Sequence, residues 1–89
     1  MDFEWDPEKA RRNRQSHGVD FAEAAEVFAD ELSSVVADPD HSEDESRYLI
    51  FGQSGSGRHL VVAFTERGAT VRLISAREMT RHERRAYED

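Results

Sequence analysis

Three runs of β-type apolar residues, 47–53, 58–65 and 69–75, follow one another with only Ser54-Gly55-Ser56-Gly57 and Glu66-Arg67-Gly68 between them. Connections this short hold no crossover helix, so neighbouring runs must pair antiparallel, as hairpins. The second run alternates: Leu60, Val62 and Phe64 share one face, and His59, Val61, Ala63 and Thr65 the other. In the third, burying Val71 and Leu73 turns Arg72 away from that core. The glycines of residues 54–57 hint at a phosphate cradle. Such a loop, however, follows a strand, precedes a helix and carries Gly-Lys-Ser/Thr, whereas this one joins two strands.

The elements around this meander carry legible end signals. Phe3 and Trp5, alternating with Glu4 and Asp6, predict a short opening strand. Asp6-Pro7 then supplies an N-cap and a proline at the first helical position, and Gly18 suits a left-handed stop, so a helix is expected over residues 7–17. Apart from Pro7 that helix holds one apolar residue, Ala10, and places Lys9, Asn13, Ser16 and His17 on one face. Asp20 with Glu23 reads as a capping box opening a second helix, whose packing face is Phe21, Ala24, Ala25, Phe28 and Leu32. Val35 and Val36 predict a strand over 33–37, and the acidic stretch 38–45 a loop. That loop imitates the start of a calcium loop but lacks the central glycine and flanking helices, which leaves a solvated connection. Thr80 and Glu83 form another capping-box pattern, starting a last helix near Arg81. The order β-α-α-β-β-β-β-α describes one α+β domain spanning residues 1–89: a largely antiparallel sheet with two N-terminal helices and a short C-terminal helix.

No apolar run is long enough to cross a bilayer, and residues 1–4 have neither the basic nor the apolar region of a secretory signal. Cysteine is absent, which excludes disulfides, thiolate metal sites and cysteine nucleophiles. The expectation is a cytoplasmic protein of bacterial type, with no membrane partner. The formal net charge of −7 argues against nucleic-acid binding by the whole surface. Charge is segregated, however. Lys9, Arg11, Arg12 and Arg14 precede a stretch, 20–45, whose charged residues are all acids, and Arg72, Arg77, Arg81, Arg84 and Arg85 follow near the end. One basic working surface on an acidic body has this pattern, and so do ordinary solvated faces.

Phe3-Glu4-Trp5-Asp6, then Lys9, Asn13 and His17-Gly18-Val19 with Phe21, and later Arg72-x-Ile74-Ser75-Ala76-Arg77 and Glu83-Arg84-x-x-Tyr87, stand in an order and spacing that resembles the BrnT toxin family. The resemblance covers essentially the whole chain; the position before His17-Gly18, commonly basic in that family, is Ser16 here. It implies a RelE-like fold and a ribonuclease toxin of a type II toxin–antitoxin system. It also implies a BrnA-like antitoxin with a ribbon-helix-helix part, and operator DNA bound only through that antitoxin. RelE-like chemistry would be attack of the RNA 2′-OH on the adjacent phosphate, leaving a 2′,3′-cyclic end, with no cofactor and no metal.

Such a reaction needs removal of the 2′-OH proton, stabilisation of charge on the phosphate and protonation of the leaving oxygen. Arg72 and Arg77 are the candidate phosphate clamp, Lys9 a further cation, His17 the first candidate for proton transfer and Tyr87 and Glu83 weaker ones, with Arg81, Arg84 and Arg85 holding the RNA strand. Plainer readings stand beside these. His17 can serve the last carbonyls of its helix, Arg72 and Arg77 can pair with nearby acids, Tyr87 can pack, and the helical arginines can be solvated or meet an acidic antitoxin segment. Two other functions fit the same residues: a non-catalytic binding module acting as co-repressor in a toxin–antitoxin–DNA complex, and an enzyme acting on a small acidic or phosphorylated metabolite.

Overall fold

The computed structural model describes residues 1–40 and 46–88. The elements run β1 (Asp2–Glu4), α1 (Pro7–His17), α2 (Phe21–Glu26) continued by a 3-10 turn (Val27–Ala29), β2 (Ser34–Ala37), β3 (Arg47–Gln53), β4 (His59–Arg67), β5 (Thr70–Glu78) and α3 (Arg81–Glu88). The five strands form one sheet in the order β1-β5-β4-β3-β2. The meander β3-β4-β5 and the β2–β3 pair are antiparallel, while β1 lies parallel to β5 with Phe3 opposite Val71. This is the α+β architecture expected from the sequence.

The core lies between α1, α2 and one face of the sheet. Leu60, Val62 and Phe64 of β4 meet Val71, Leu73 and Ala76 of β5, with Val19, Phe21, Ala24 and Val27 packed over them. Phe28 sits edge-on between Phe3 and Phe64, at 5.2 and 5.0 Å between ring centroids, and Trp5 meets Phe21 at 5.9 Å. Edge-to-face contacts of this kind add to the burial of the rings themselves. α1 begins where Asp6 accepts the Glu8 N–H at 3.0 Å and ends at Gly18, whose φ of 68° a side chain would resist.

Three expectations need correction. The second helix ends at Glu26, not near Leu32; the 3-10 turn rotates Val27 into the core and leaves Leu32 76% exposed. Asp20 stands at the N-cap without a side-chain capping bond, its carboxylate accepting from Arg14 Nη1 at 3.4 Å, and Glu23 does not reach back to it. Instead, Glu23 accepts from Ser54 Oγ (2.8 Å), Ser56 Oγ (3.1 Å) and Arg58 Nη1 (2.8 Å), which ties the β3–β4 turn to α2. Burial pushes the Glu23 carboxyl up, but these hydroxyls and the arginine charge outweigh it and hold it below the usual range. Lastly, β5 runs on to Glu78, because Ile74 is an extra residue in the ladder: Phe64 pairs with Leu73 and Ala63 with Ser75. In the acidic loop, residues 41–45 lie outside the described residues.

Candidate functional site

β1 stops early. Its last pair is Glu4 with Arg72, which leaves the outer edge of β5 beyond that point without a neighbouring strand. α1 lies along this gap, and a single side chain closes it. The Asn13 amide donates to Ala76 O at 2.9 Å and Val19 O at 3.0 Å, and its Oδ1 accepts from Ala76 N at 3.0 Å. A carboxamide has the donor and acceptor of a peptide group, so Asn13 takes the place of the missing strand. This explains how a helix with almost no apolar residues stays docked: its buried side chain is a hydrogen-bonded amide.

With α1 fixed in that register, Lys9, Arg12, Asn13, Ser16 and His17 line a shallow groove of about 200 Å³, closed on the strand side by Ile74. Lys9 and His17 are exposed, and neither makes a hydrogen bond or ion pair among the described residues. Two of the expected site residues therefore meet here, one turn on either side of Asn13.

The arginines stand beside this groove and do not line it. Thr65 lies opposite Arg72 and Val61 opposite Arg77, so both arginines occupy the sheet face turned from the core. They are five residues apart, and strict alternation would put them on opposite faces; the bulge at Ile74 brings them onto the same one. Each is met by a carboxylate. Arg72 Nη1 donates to Glu4 at 2.9 Å, and Arg77 grips Glu83 through two bonds of 2.8 and 3.0 Å. The guanidinium holds the Glu83 carboxyl down to about 2 against its burial, and Glu83 in turn raises Arg77 above its ordinary value. Glu83 also accepts the Thr80 N–H at 2.9 Å while Thr80 Oγ1 accepts from Glu83 N at 3.1 Å, so the capping box of α3 forms as the sequence indicates.

Tyr87 lies elsewhere. Its hydroxyl donates to Asp30, its ring meets His59 edge-on at 5.6 Å, and burial together with Asp30 pushes the phenol up to about 12. These contacts dock the far end of α3. Arg81, Arg84 and Arg85 project from the exposed side of that helix, with Arg84 bonded to Glu88 at 2.9 Å. Sequence reasoning did not single out Asn13 or Asp30 as structural anchors. The signal for Asn13 was present, because a helix so poor in apolar residues needs another means of attachment.

Residues 5–83 match the family of ribonuclease toxins, BrnT, of type II toxin–antitoxin systems. The chain belongs to the BrnT family. Among solved structures it is similar to the crystal structure of the Brucella abortus ribonuclease toxin BrnT, with a TM-score of 0.67 and 24% identity, covering 91% of this chain and 99% of that one. That likeness establishes a shared fold. Comparison with curated proteins finds no match. As a BrnT family member the chain is a ribonuclease toxin of a type II toxin–antitoxin system, with RNA as substrate and a cognate antitoxin as partner. No helix among the described residues is long and apolar enough to cross a membrane.

Proposed function

We propose that the chain cleaves RNA without a metal, through attack of a 2′-OH on the adjacent phosphate, at the groove between α1 and β5. The observation that carries this reading is a pair of basic side chains without a partner among the described residues, Lys9 and His17, facing the bulge residue that separates Arg72 from Arg77. His17 is the proton-transfer group, since imidazole titrates nearest to neutrality and can both take and give a proton there. Lys9 supplies a point charge to the phosphate, and Arg72 and Arg77 supply planar donors suited to its oxygens. Because both arginines rest on carboxylates, the incoming phosphate competes with Glu4 and Glu83 for them. The hydroxyl of Tyr87 is engaged with Asp30, which favours a docking role over proton transfer. Arg81 and Arg85, exposed on α3, extend the cationic surface for the RNA strand or for the antitoxin. The antitoxin is read as a ribbon-helix-helix protein that covers this basic surface and carries the complex to operator DNA.

Induced expression of the chain alone is expected to arrest growth and fragment cellular RNA. Cleavage by the purified toxin should persist in EDTA and leave 2′,3′-cyclic ends. His17→Ala and Arg77→Ala should each lower cleavage about 100-fold or more, the usual scale for an acid–base or charge-stabilising group. Loss of cleavage in EDTA would refute the metal-free mechanism. Full activity in His17→Ala with a lowered melting temperature would reduce His17 to a helix terminator. The carboxylates on both arginines favour one second reading, a binding module: growth arrest without RNA cleavage is its signature.

A further inference from the structure

β2 is the last strand of the sheet, and among the described residues nothing pairs with its outer side. All four of its residues are exposed, Val35 at 53% and Val36 at 45%, and Leu32 just before it at 76%. Edge strands are ordinarily guarded by lysine, proline or a bulge, and Ser34-Val35-Val36-Ala37 has none of these. The Asp38 N–H donates to Arg47 O at 2.9 Å, and main-chain direction alternates along an antiparallel strand. Ser34 and Val36 therefore face β3, while Val35 and Ala37 turn their N–H and C=O groups outward. Beside this edge α3 and the sheet enclose a largely apolar cavity of about 410 Å³, lined by Leu32, Phe51, Ala86 and Tyr87 among others.

Charge selects the occupant. Residues 20–45 contain no lysine or arginine, and exposed Glu31 and Asp40 flank the two ends of β2. We propose that this edge and the adjoining cavity receive an extended segment of the cognate antitoxin, apolar at alternate positions and basic at its ends, paired with β2 as an added strand. A second copy of the chain fits poorly, because antiparallel pairing about a two-fold axis would set Glu31 of one protomer against Asp40 of the other. RNA fits poorly on an edge flanked by acids. β4 and β3 separate this edge from β5, so the segment is an anchor distinct from the groove of Lys9 and His17. Tethering there raises the effective concentration of the rest of the antitoxin over the basic surface. The inference uses the antitoxin of the proposed function, but neither its ribbon-helix-helix class nor the cleavage mechanism.

The test uses the purified full-length toxin with its cognate antitoxin, measuring amide exchange across β2 and affinity by calorimetry, with no RNA present. Val35→Pro removes an outward N–H without touching the β3 ladder, and Val36→Lys places a positive charge on an exposed position. Exchange at Val35 and Ala37 should slow about tenfold or more in the native complex. Each variant should bind antitoxin about tenfold or more weakly while keeping the melting temperature and the RNA cleavage of the free toxin. If Val35→Pro fails to fold, Val36→Lys decides. Native affinity in the variants, or unchanged exchange in β2, overturns the proposal. So does a free-toxin dimer in sedimentation that Val36→Lys dissolves, which would assign the edge to a second copy, or loss of cleavage with antitoxin affinity kept.

Discussion

Replacing Asn13 with alanine strips the stand-in strand from β5. The substitution leaves the Ala76 N–H without a partner and removes one bond each from the carbonyls of Ala76 and Val19, both residues being fully buried. An orphaned buried donor costs about 1–3 kcal/mol, and a carbonyl with a second lone pair costs less. The sum is about 2–4 kcal/mol, against a total stability of about 5–13 kcal/mol for a domain of this length. At about 4–8 °C per kcal/mol, the melting temperature should fall by about 8–32 °C. Trp5, the single tryptophan, packs on Phe21 and reports unfolding by fluorescence. In urea the midpoint should drop with an unchanged m-value, the sign that stability changed and not the extent of unfolding. Asn13→Asp keeps the acceptor for Ala76 N–H but aims lone pairs at two carbonyls. It should therefore recover stability only at a pH low enough for the acid to be protonated and to donate. RNA cleavage, measured where Asn13→Ala is still folded, should fall too, because Lys9 and His17 lose their register against Ile74. A loss below about 0.5 kcal/mol, or native stability of Asn13→Asp at neutral pH, would refute the account of how α1 is held.

Glu83, at about 2 in the folded protein against 4.5 ordinarily, contributes stability that is complete above its unfolded value and is lost as pH falls toward 2. That shift corresponds to at most about 3 kcal/mol; with Arg77 40% and Glu83 23% exposed, about 1 kcal/mol is expected after solvent screening, so the urea midpoints of the native protein and Glu83→Gln should converge near pH 2. An alkaline absorbance titration should show a phenol ionising near 12, which Tyr87→Phe abolishes while speeding amide exchange in α3. At Gly52 an added Cβ would lie 2.9 Å from both Val27 Cγ1 and Asp30 Oδ2, so Gly52→Ala should cost about 1–3 kcal/mol in urea unfolding. Gly18→Ala, at φ 68° with open space around it, should cost about 1 kcal/mol by the same measurement, from backbone conformation alone.

What the sequence disclosed is local in range. The hairpin turns, the Asp6 cap, the Gly18 stop and the Thr80–Glu83 box each depend on residues within four positions of one another, and each formed as read. Errors arose where a distant partner competed. Glu23 left the cap of its own helix for serines and an arginine more than thirty positions away, because three donors converging there, one of them the buried Ser54 hydroxyl, offer a carboxylate more than an exposed helix end does. Leu32 kept helical spacing on paper, but the turn at Val27–Ala29 broke the period before reaching it. For the site, Lys9 and His17 could be paired from helical geometry. The role of Asn13 could not, since its partner Ala76 lies sixty-three residues on.

The extra residue in β5 has a consequence for the evolution of this surface. Deleting Ile74 would restore strict parity to the strand without changing any later partner: Ala76 would still face the core opposite Val62 and Arg77 the outer face opposite Val61, while the groove beside Lys9 and His17 would lose its strand-side wall. A toxin of this build can therefore shed that residue and keep both arginines on one side of the sheet; what the insertion adds is a side chain that borders the opening helix.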